Sequence, residues 1–161
     1  WAAVSNTPYR QYKIETFDGG LSAPFIIRYP SKIRPESRYH SPFLFQDIAP
    51  TCLAWAALPI PAHMDGKPLN TYWNNPPKLP PSKVWDFIPN TCPPRTIFWE
   101  HQRNRAALTS QFKLVAPNRG PWQVYDIRDR TEQKNLASRH QTLVEQLSAQ
   151  YRKWAAENHA E

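Results

Sequence analysis

Glycine, cysteine and methionine are scarce in this 161-residue chain, which has 4 glycines, 2 cysteines and 1 methionine. So few glycines against 18 prolines predict long extended loops and argue against a regular helical bundle. Cys52 and Cys92 are forty positions apart and match no metal-ligand spacing, so the sequence predicts no metal site and leaves their pairing open.

Long apolar runs and long basic runs are also missing. No apolar run is long enough to span a membrane. The formal net charge is +7, but the basic residues are scattered, without a run of five, a recognition-helix pattern or an RNA-binding aromatic signature. The sequence therefore predicts a solvated basic surface and neither a nucleic-acid partner nor a membrane span.

Aromatic side chains are plentiful, with seven tryptophans among them. They supply large apolar anchors, more than so proline-rich a chain needs for one small core. Two interpretations stand: an ordinary well-packed core, or anchors that partly pack on a further domain, which we prefer.

One stretch places a lone lysine, Lys13, shortly before Asp18-Gly19-Gly20 and an apolar run. The two glycines allow either a positive φ or a close approach to another backbone group. Residues 24–29, opened by Pro24, predict a short buried strand. A rigid turn beside a strand end would hold one cation at a fixed point, although an isolated lysine is usually a plain surface residue.

The sequence around this lysine resembles the type I sulfatases (arylsulfatase-like). The resembling residues are Trp1-Ala2-Ala3-Val4-Ser5-Asn6-Thr7-Pro8-Tyr9-Arg10, Tyr12-Lys13, Asp18-Gly19-Gly20 and Pro24. Asp18 stands for the family's usual glutamate, Tyr29 for tryptophan and Ala3 for asparagine. Later segments resemble the family in the same order: Asp47-Ile48-Ala49-Pro50-Thr51-Cys52-Leu53, Met64-Asp65-Gly66, Phe98-Trp99-Glu100-His101, Asn104-Arg105-Ala106, Phe112-Lys113-Leu114-Val115, Pro121-Trp122-Gln123-Val124-Tyr125-Asp126 and Asn135-Leu136-Ala137.

The resemblance implies an α/β fold, α+β within this chain. Residues 1–69 would end an alkaline-phosphatase-like catalytic domain, 70–94 form a proline-rich ordered loop, and 95–161 form a four-stranded antiparallel sheet packed by one helix. The residue pattern agrees with strands at 95–101, 104–109, 111–116 and 122–126. It also predicts a helix over 47–58 capped by Asp47, and a helix to about residue 158 that begins with a Ser138–Gln141 capping box.

The resemblance also implies site residues. Lys13 falls on the family's sulfate-binding lysine, and we expect it to act in catalysis. Residue chemistry, apart from the resemblance, adds His101 and Arg105 as candidate substrate ligands, with a strand-end histidine and a surface salt bridge as the plain alternatives. Asp126, Asp129 and Glu132 form an acidic turn, for which a cation site is one interpretation and a solvated turn is the one we expect. Formylglycine and a bound calcium ion, which the family uses, would lie upstream of Trp1, because neither cysteine sits in a Cys-x-Pro-x-Arg motif.

The sequence thus predicts the C-terminal portion of a sulfatase that acts on sulfated small molecules or sugars, inactive without the preceding catalytic portion. Two alternatives stay open: a phosphodiesterase or phosphonate hydrolase of the same superfamily, and a non-catalytic binding module that retains the fold. The family expectation for location is the periplasm, secretion or the lysosome.

Overall fold

The computed structural model describes residues 1–37, 39, 41–74 and 95–160. These residues form two compact units. The sheet unit comprises residues 1–24 and 95–160, and the aromatic unit comprises residues 25–74. The N-terminal segment that carries Lys13 therefore belongs with the C-terminal sheet, a grouping that the sequence did not predict.

The sheet unit is built on a four-stranded antiparallel meander. Its strands are β1 (Ile97–His101), β2 (Asn104–Leu108), β3 (Phe112–Ala116) and β4 (Gln123–Asp126), in the order β1-β2-β3-β4. The register pairs His101 with Asn104, Ala106 with Val115, and Leu114 with Val124. This sheet and the helix across it confirm the predicted fold of the C-terminal part.

Both faces of the sheet are covered, which explains why its strands are apolar at successive positions. On one face Ala107, Leu114 and Val124 pack with Leu147 of the long helix. On the other face the N-terminal segment inserts Phe17 against Ala106, Val115 and Tyr125. The sequence predicted the first cover and missed the second, because no periodic pattern marks a loop that packs on a sheet.

Five helices complete the described chain, most of them short. They are α1 (Ala2–Ser5), α2 (Asp18–Leu21), α3 (Ile48–Trp55), α4 (Asn70–Asn74) and α5 (Gln141–Glu157). The predicted helix to about residue 158 is confirmed, and it buries Leu147 and Tyr151, which are each 4% exposed. The predicted capping box is wrong: a 3₁₀ turn spans Ala137–Arg139, and His140 at the N-cap makes no side-chain cap bond.

The aromatic unit is centred on Trp73, which is 4% exposed. The centroid of its ring lies 5.3 Å from that of Phe43, 5.7 Å from that of Phe25 and 5.8 Å from that of Trp55, separations typical of aromatic pairs. Trp55 also donates its indole N–H to the Asn74 Oδ1 at 3.0 Å. These contacts show that several tryptophans and phenylalanines of the proline-rich region form a core of their own.

Two expectations are wrong: the strand over residues 24–29 and the side-chain cap by Asp47 of the helix that follows. Residues 24–29 form no strand, because they have no partner strand among the described residues, and Ile26 is 93% exposed. Helix α3 is where the sequence placed a helix, but it buries Pro50 and Thr51, whereas Cys52 is exposed. Asp47 holds the N-cap position, yet its carboxylate accepts from the backbone N–H groups of Leu44 (2.7 Å) and Lys67 (2.8 Å).

Part of the predicted loop over 70–94 lies outside the described residues, which include only the short helix α4 from it. The same holds for Trp85, Phe87 and Cys92. Within the described part of the chain, no helix has the length and apolar character needed to cross a membrane.

Candidate functional site

The segment that carries Lys13 is a closed turn over residues 10–20. The Gly19 N–H donates to the Arg10 carbonyl at 2.9 Å. The Asn6 amide donates from Nδ2 to the carbonyls of Gln11 (2.8 Å) and Gly19 (2.9 Å), so one side chain holds both ends of the turn. The chain between Gln11 and Gly19 is therefore held at both of its ends.

The Gly19-Gly20 pair is required for close approach. Neither glycine has a positive φ. A Cβ on Gly20 would lie 2.0 Å from the Glu15 carbonyl oxygen, and one on Gly19 would lie 2.2 Å from the Gln11 carbonyl oxygen. Of the two roles that the sequence left open, the structure selects close backbone packing.

Lys13 itself is exposed at the tip of this turn. The next residue, Ile14, has a φ of 85°, in the left-handed region that a β-branched side chain rarely adopts. Backbone strain of this kind persists where surrounding contacts hold it, and it often occurs at functional sites. The lysine thus sits in a turn whose conformation is held against its local preference.

His101 lies on the same face of the sheet as the Lys13 turn. Side chains alternate along a strand, so His101 shares the face of Trp99, which packs on the Phe17 cluster. Its register partner Asn104 donates from Nδ2 to the Ile14 carbonyl at 3.3 Å. The structure therefore brings the exposed His101 and the Lys13 turn to one end of one sheet face.

Arg105 points to the opposite face. Its guanidinium donates from Nη2 to the Gly120 carbonyl at 3.1 Å and lies 5.0 Å from the centroid of the Trp122 ring. Trp122 packs on the α5 side of the sheet. Of the three candidate site residues, His101 lies at the end of the sheet face that the Lys13 turn contacts through Asn104, whereas the Arg105 side chain lies on the opposite face.

A buried ionic cluster fixes the turn to the sheet. The Lys113 ammonium, on a side chain that is 3% exposed, lies 2.8 Å from Asp18 Oδ1 and 2.7 Å from Glu132 Oε1. The Asp18 backbone N–H donates to Glu132 Oε2 at 2.7 Å, and Arg130 Nε lies 3.3 Å from Asp18 Oδ2. Asp18 of the acidic-Gly-Gly motif therefore serves as the anchor of the turn.

Arg10 makes a second tie between the turn and the sheet. Its guanidinium donates from Nη1 to the Glu132 carbonyl at 3.0 Å and to the Tyr125 hydroxyl at 3.2 Å. The same group lies 4.0 Å from the centroid of the Phe17 ring, a cation–π distance. Both ends of the turn are thus bound to strand β4 and the segment after it.

The acidic turn is not uniformly solvated, which corrects the expectation for Glu132. Burial raises the pKa of the Glu132 carboxyl, against the opposing attraction of Lys113. Asp129 is different: burial would raise its pKa, but N–H groups of Lys134 and Gln133 and the Thr131 hydroxyl together lower it. Its carboxylate organises the loop that carries Glu132. No cluster of three or more metal-ligating side chains occurs among the described residues.

The sequence did not predict the roles of Lys113, in the buried ionic cluster, and Asn104, in the contact with the Lys13 turn. Lys113 stands inside an apolar strand, and a lysine at such a position signals a buried ion pair. Its two partners are distant in the sequence, so their identity requires the fold. Asn104 carried no distinguishing pattern beyond the family resemblance.

Comparison with known proteins identifies the family of this chain. Residues 12–157 match the family described as N-sulphoglucosamine sulphohydrolase, C-terminal. The chain belongs to this sulfatase family. An uncharacterized sulfatase of Schizosaccharomyces pombe is 31% identical over 158 residues, covering 91% of this chain and 27% of the relative. The resemblance to sulfatases is thereby confirmed.

Two further proteins are similar over smaller shares. The steryl-sulfatase of Rattus norvegicus is 37% identical over 67 residues, covering 40% of this chain and 12% of that protein. The solved structure of BT4656 in complex with its substrate, D-glucosamine-2-N,6-O-disulfate, has a TM-score of 0.59 at 22% identity over 81% of this chain and 27% of that one. This likeness shows the sulfatase fold. The chain spans about a quarter of the length of the yeast relative.

We expect Lys113→Met to destabilise the sheet unit by about 3–5 kcal/mol, because it leaves the buried Glu132 carboxylate without its cation and removes one of the two cations beside Asp18. Unfolding by urea measures the loss. Lys153→Met is the matched control, since Lys153 makes only an exposed pair with Glu157 at 4.0 Å, worth about 0.5 kcal/mol or less. Equal effects of the two substitutions would contradict a structural role for the buried cluster.

The raised pKa of Glu132 sets the sign of a second prediction. The folded state binds this proton more tightly than the unfolded state, so the contribution of Glu132 to stability is lost as the pH rises through the folded-state pKa. Glu132→Gln removes the titration. The free energy of unfolding of wild type should therefore fall relative to that of Glu132→Gln as the pH rises from about 4 to about 7, across the titration of a carboxyl group. Thermal unfolding across that range checks it, and a difference that moves the other way would refute it.

Proposed function

We propose that this chain is the C-terminal portion of a sulfatase that hydrolyses sulfate monoesters, and that Lys13 binds the sulfate group. The family match over residues 12–157 supports the enzyme class. The observation that carries the residue assignment is the closed turn over residues 10–20, which exposes Lys13 and contacts the sheet face that bears His101.

The chemistry suits a fixed cation. Hydrolysis breaks the S–O bond, and negative charge develops on the departing oxygen and on the sulfate oxygens. A preorganised cation stabilises that charge without having to reorient during the reaction. The turn over residues 10–20 is held by the Asn6 amide and the Lys113 cluster, so the Lys13 backbone is already in place. His101 would donate or accept a hydrogen bond to the substrate from the adjacent strand end.

Arg105 receives a different assignment. Its guanidinium engages the Gly120 carbonyl and the Trp122 ring on the α5 face, which supports a packing role. The substrate-binding role considered for Arg105 because of its planar guanidinium has no support from this placement.

The nucleophile and metal of the family do not fit the residues described here. Cys52 is a free, exposed cysteine outside any Cys-x-Pro-x-Arg motif, and no three metal-ligating side chains cluster in the described ranges. The described residues of this chain therefore supply neither the formylglycine nor the calcium ligands. Both belong, in this proposal, to the preceding portion of the longer protein.

The proposed substrate is an anionic sulfate ester, with a sulfated sugar preferred over an aryl ester. The family description refers to N-sulphoglucosamine, and BT4656 is described with a disulfated glucosamine as its substrate. The net charge of +7 favours attraction of such anions. A secreted, periplasmic or lysosomal location agrees with the proposal and stays a prediction.

Lys13→Ala in the full-length protein should lower kcat/KM for a sulfate ester about 10²- to 10³-fold, the scale of losing one charge-stabilising group in a reaction centre. Lys13→Arg should retain part of the activity because it keeps the charge. Steady-state assays with a sulfated glucosamine, an aryl sulfate and the matching phosphate ester measure these effects and the substrate class. Lys134→Ala replaces another exposed lysine of the sheet unit and should leave activity unchanged. A Lys13→Ala enzyme of wild-type activity would remove the lysine from the proposal.

The 161-residue chain by itself should not turn over sulfate esters, because the proposed nucleophile lies in the preceding portion. The measurement is release of sulfate or phenol from an aryl sulfate by the purified chain, with the full-length protein as the positive control. Turnover by the isolated chain would show that the reaction centre lies within these residues.

A further inference from the structure

The Asn104 side chain joins two loops to one end of the sheet. Asn104 is the first residue of β2 and is 7% exposed. Its Nδ2 donates to the Ile14 carbonyl at 3.3 Å, and its Oδ1 accepts from the Asn118 N–H at 2.9 Å. Both ends of the amide are therefore used, one on the Lys13 turn and the other on the turn after β3.

The carbonyl that Asn104 contacts in the Lys13 turn belongs to Ile14, a residue with a strained backbone conformation. Ile14 has a φ of 85°, which a β-branched residue adopts only when other contacts hold it. The Ile14 carbonyl belongs to the peptide between Ile14 and Glu15, and the Ile14 dihedral angles set its orientation relative to the peptide between Lys13 and Ile14. A donor fixed on a β-strand therefore helps to set the direction in which the lysine leaves the turn.

The same amide also relates the turn to the strand end that bears His101. Asn104 and His101 are register partners in the β1–β2 hairpin, whose two connecting residues Gln102 and Arg103 have positive φ values of 48° and 69°. A two-residue connection of this kind is a rigid hairpin turn. Asn104 therefore fixes the Lys13 turn to the same rigid hairpin that carries the second candidate ligand.

We propose that Asn104 is a positioning residue for Lys13, an inference that rests on the proposed sulfate-binding role of Lys13. Asn104 contacts the backbone of the turn and acts on the substrate only through the lysine. Positioning errors of about 1 Å at a reacting group lower rates by about 100-fold, so the contact has a measurable consequence.

Asn104→Asp is the informative substitution. Aspartate has the same shape and keeps an acceptor for the Asn118 N–H, but it replaces the donor to the Ile14 carbonyl with a repelling oxygen. Asn135→Asp is the matched control in the same unit. The Asn135 Oδ1 accepts from the N–H groups of Val124 and Ala137, and aspartate keeps both of these bonds.

The experiment is a double-mutant cycle in the full-length protein, with wild type, Asn104→Asp, Lys13→Ala and the double variant. We expect Asn104→Asp to lower kcat/KM for a sulfate ester about 10- to 100-fold, while Asn135→Asp leaves it unchanged. In the Lys13→Ala background, Asn104→Asp should change the rate less than about 2-fold, because two residues that act as one unit are not additive. The dissociation constant of inorganic sulfate, measured for the same four proteins, gives a second cycle that does not need turnover. This second cycle applies if the activity of Lys13→Ala falls below detection.

Three results would overturn the inference. Wild-type activity and sulfate affinity for Asn104→Asp would show that the contact does not position the lysine. A loss of equal size in both backgrounds would show that Asn104 acts on the fold or on another group. Wild-type behaviour of Lys13→Ala would remove the proposed lysine role and the inference with it, and this outcome is distinct because the single lysine variant reveals it. Circular dichroism of each variant establishes that it is folded, and Asn104→Ala serves as the second variant if the aspartate form is not.

Discussion

The sheet unit depends on one buried ammonium group. Lys113 lies in the middle of an apolar sheet, where an unpaired charge is strongly unfavourable. Two carboxylates, from Asp18 and Glu132, compensate it from segments that are far apart in the sequence. Because the charge requires both partners, the N-terminal turn and the segment after β4 must meet at the same point on the sheet. The position of Lys13 follows from that requirement.

The two faces of the sheet are covered in different ways. Helix α5 covers one face with a continuous apolar contact around Leu147, and Arg105 is bound on that side. The other face is covered by a loop held with hydrogen bonds and ion pairs, and this loop presents Lys13. Functional side chains are commonly carried by loops that a rigid scaffold holds in place. Here the scaffold is the sheet, and the hold is electrostatic as well as apolar.

The sequence predicted the four strands, their order and helix α5 because local periodicity and turn residues determine them. It failed where the partner of a residue is remote. Phe25 to Ile27 reads as a strand by its apolar run, but a strand forms only with a neighbour, and the described residues supply none. The Ser138–Gln141 pattern suggested a cap at the start of α5, whereas the chain makes a 3₁₀ turn there.

The candidate site shows the same division between local and remote information. The family resemblance singled out Lys13, and residue chemistry added His101 and Arg105, but neither could tell which of the three share a sheet face. The alternation of β1 and β2, with the Asn104 contact, separates Arg105 from the other two. Asp18 and Gly20 were singled out as parts of a motif, and only the structure shows that one anchors the turn and the other permits backbone contact.

The discontinuity of the sheet unit bears on how the chain acquires its structure during synthesis. Residues 1–24 leave the ribosome long before β3 and Glu132, so for most of translation Asp18 has neither of its partners. The apolar Phe17 must stay exposed over the same period, which makes the nascent chain a candidate for chaperone binding. Contacts between such distant segments also slow folding, because a large loop has to close before they form. The orientation of the lysine is consequently one of the last features of this unit to be established.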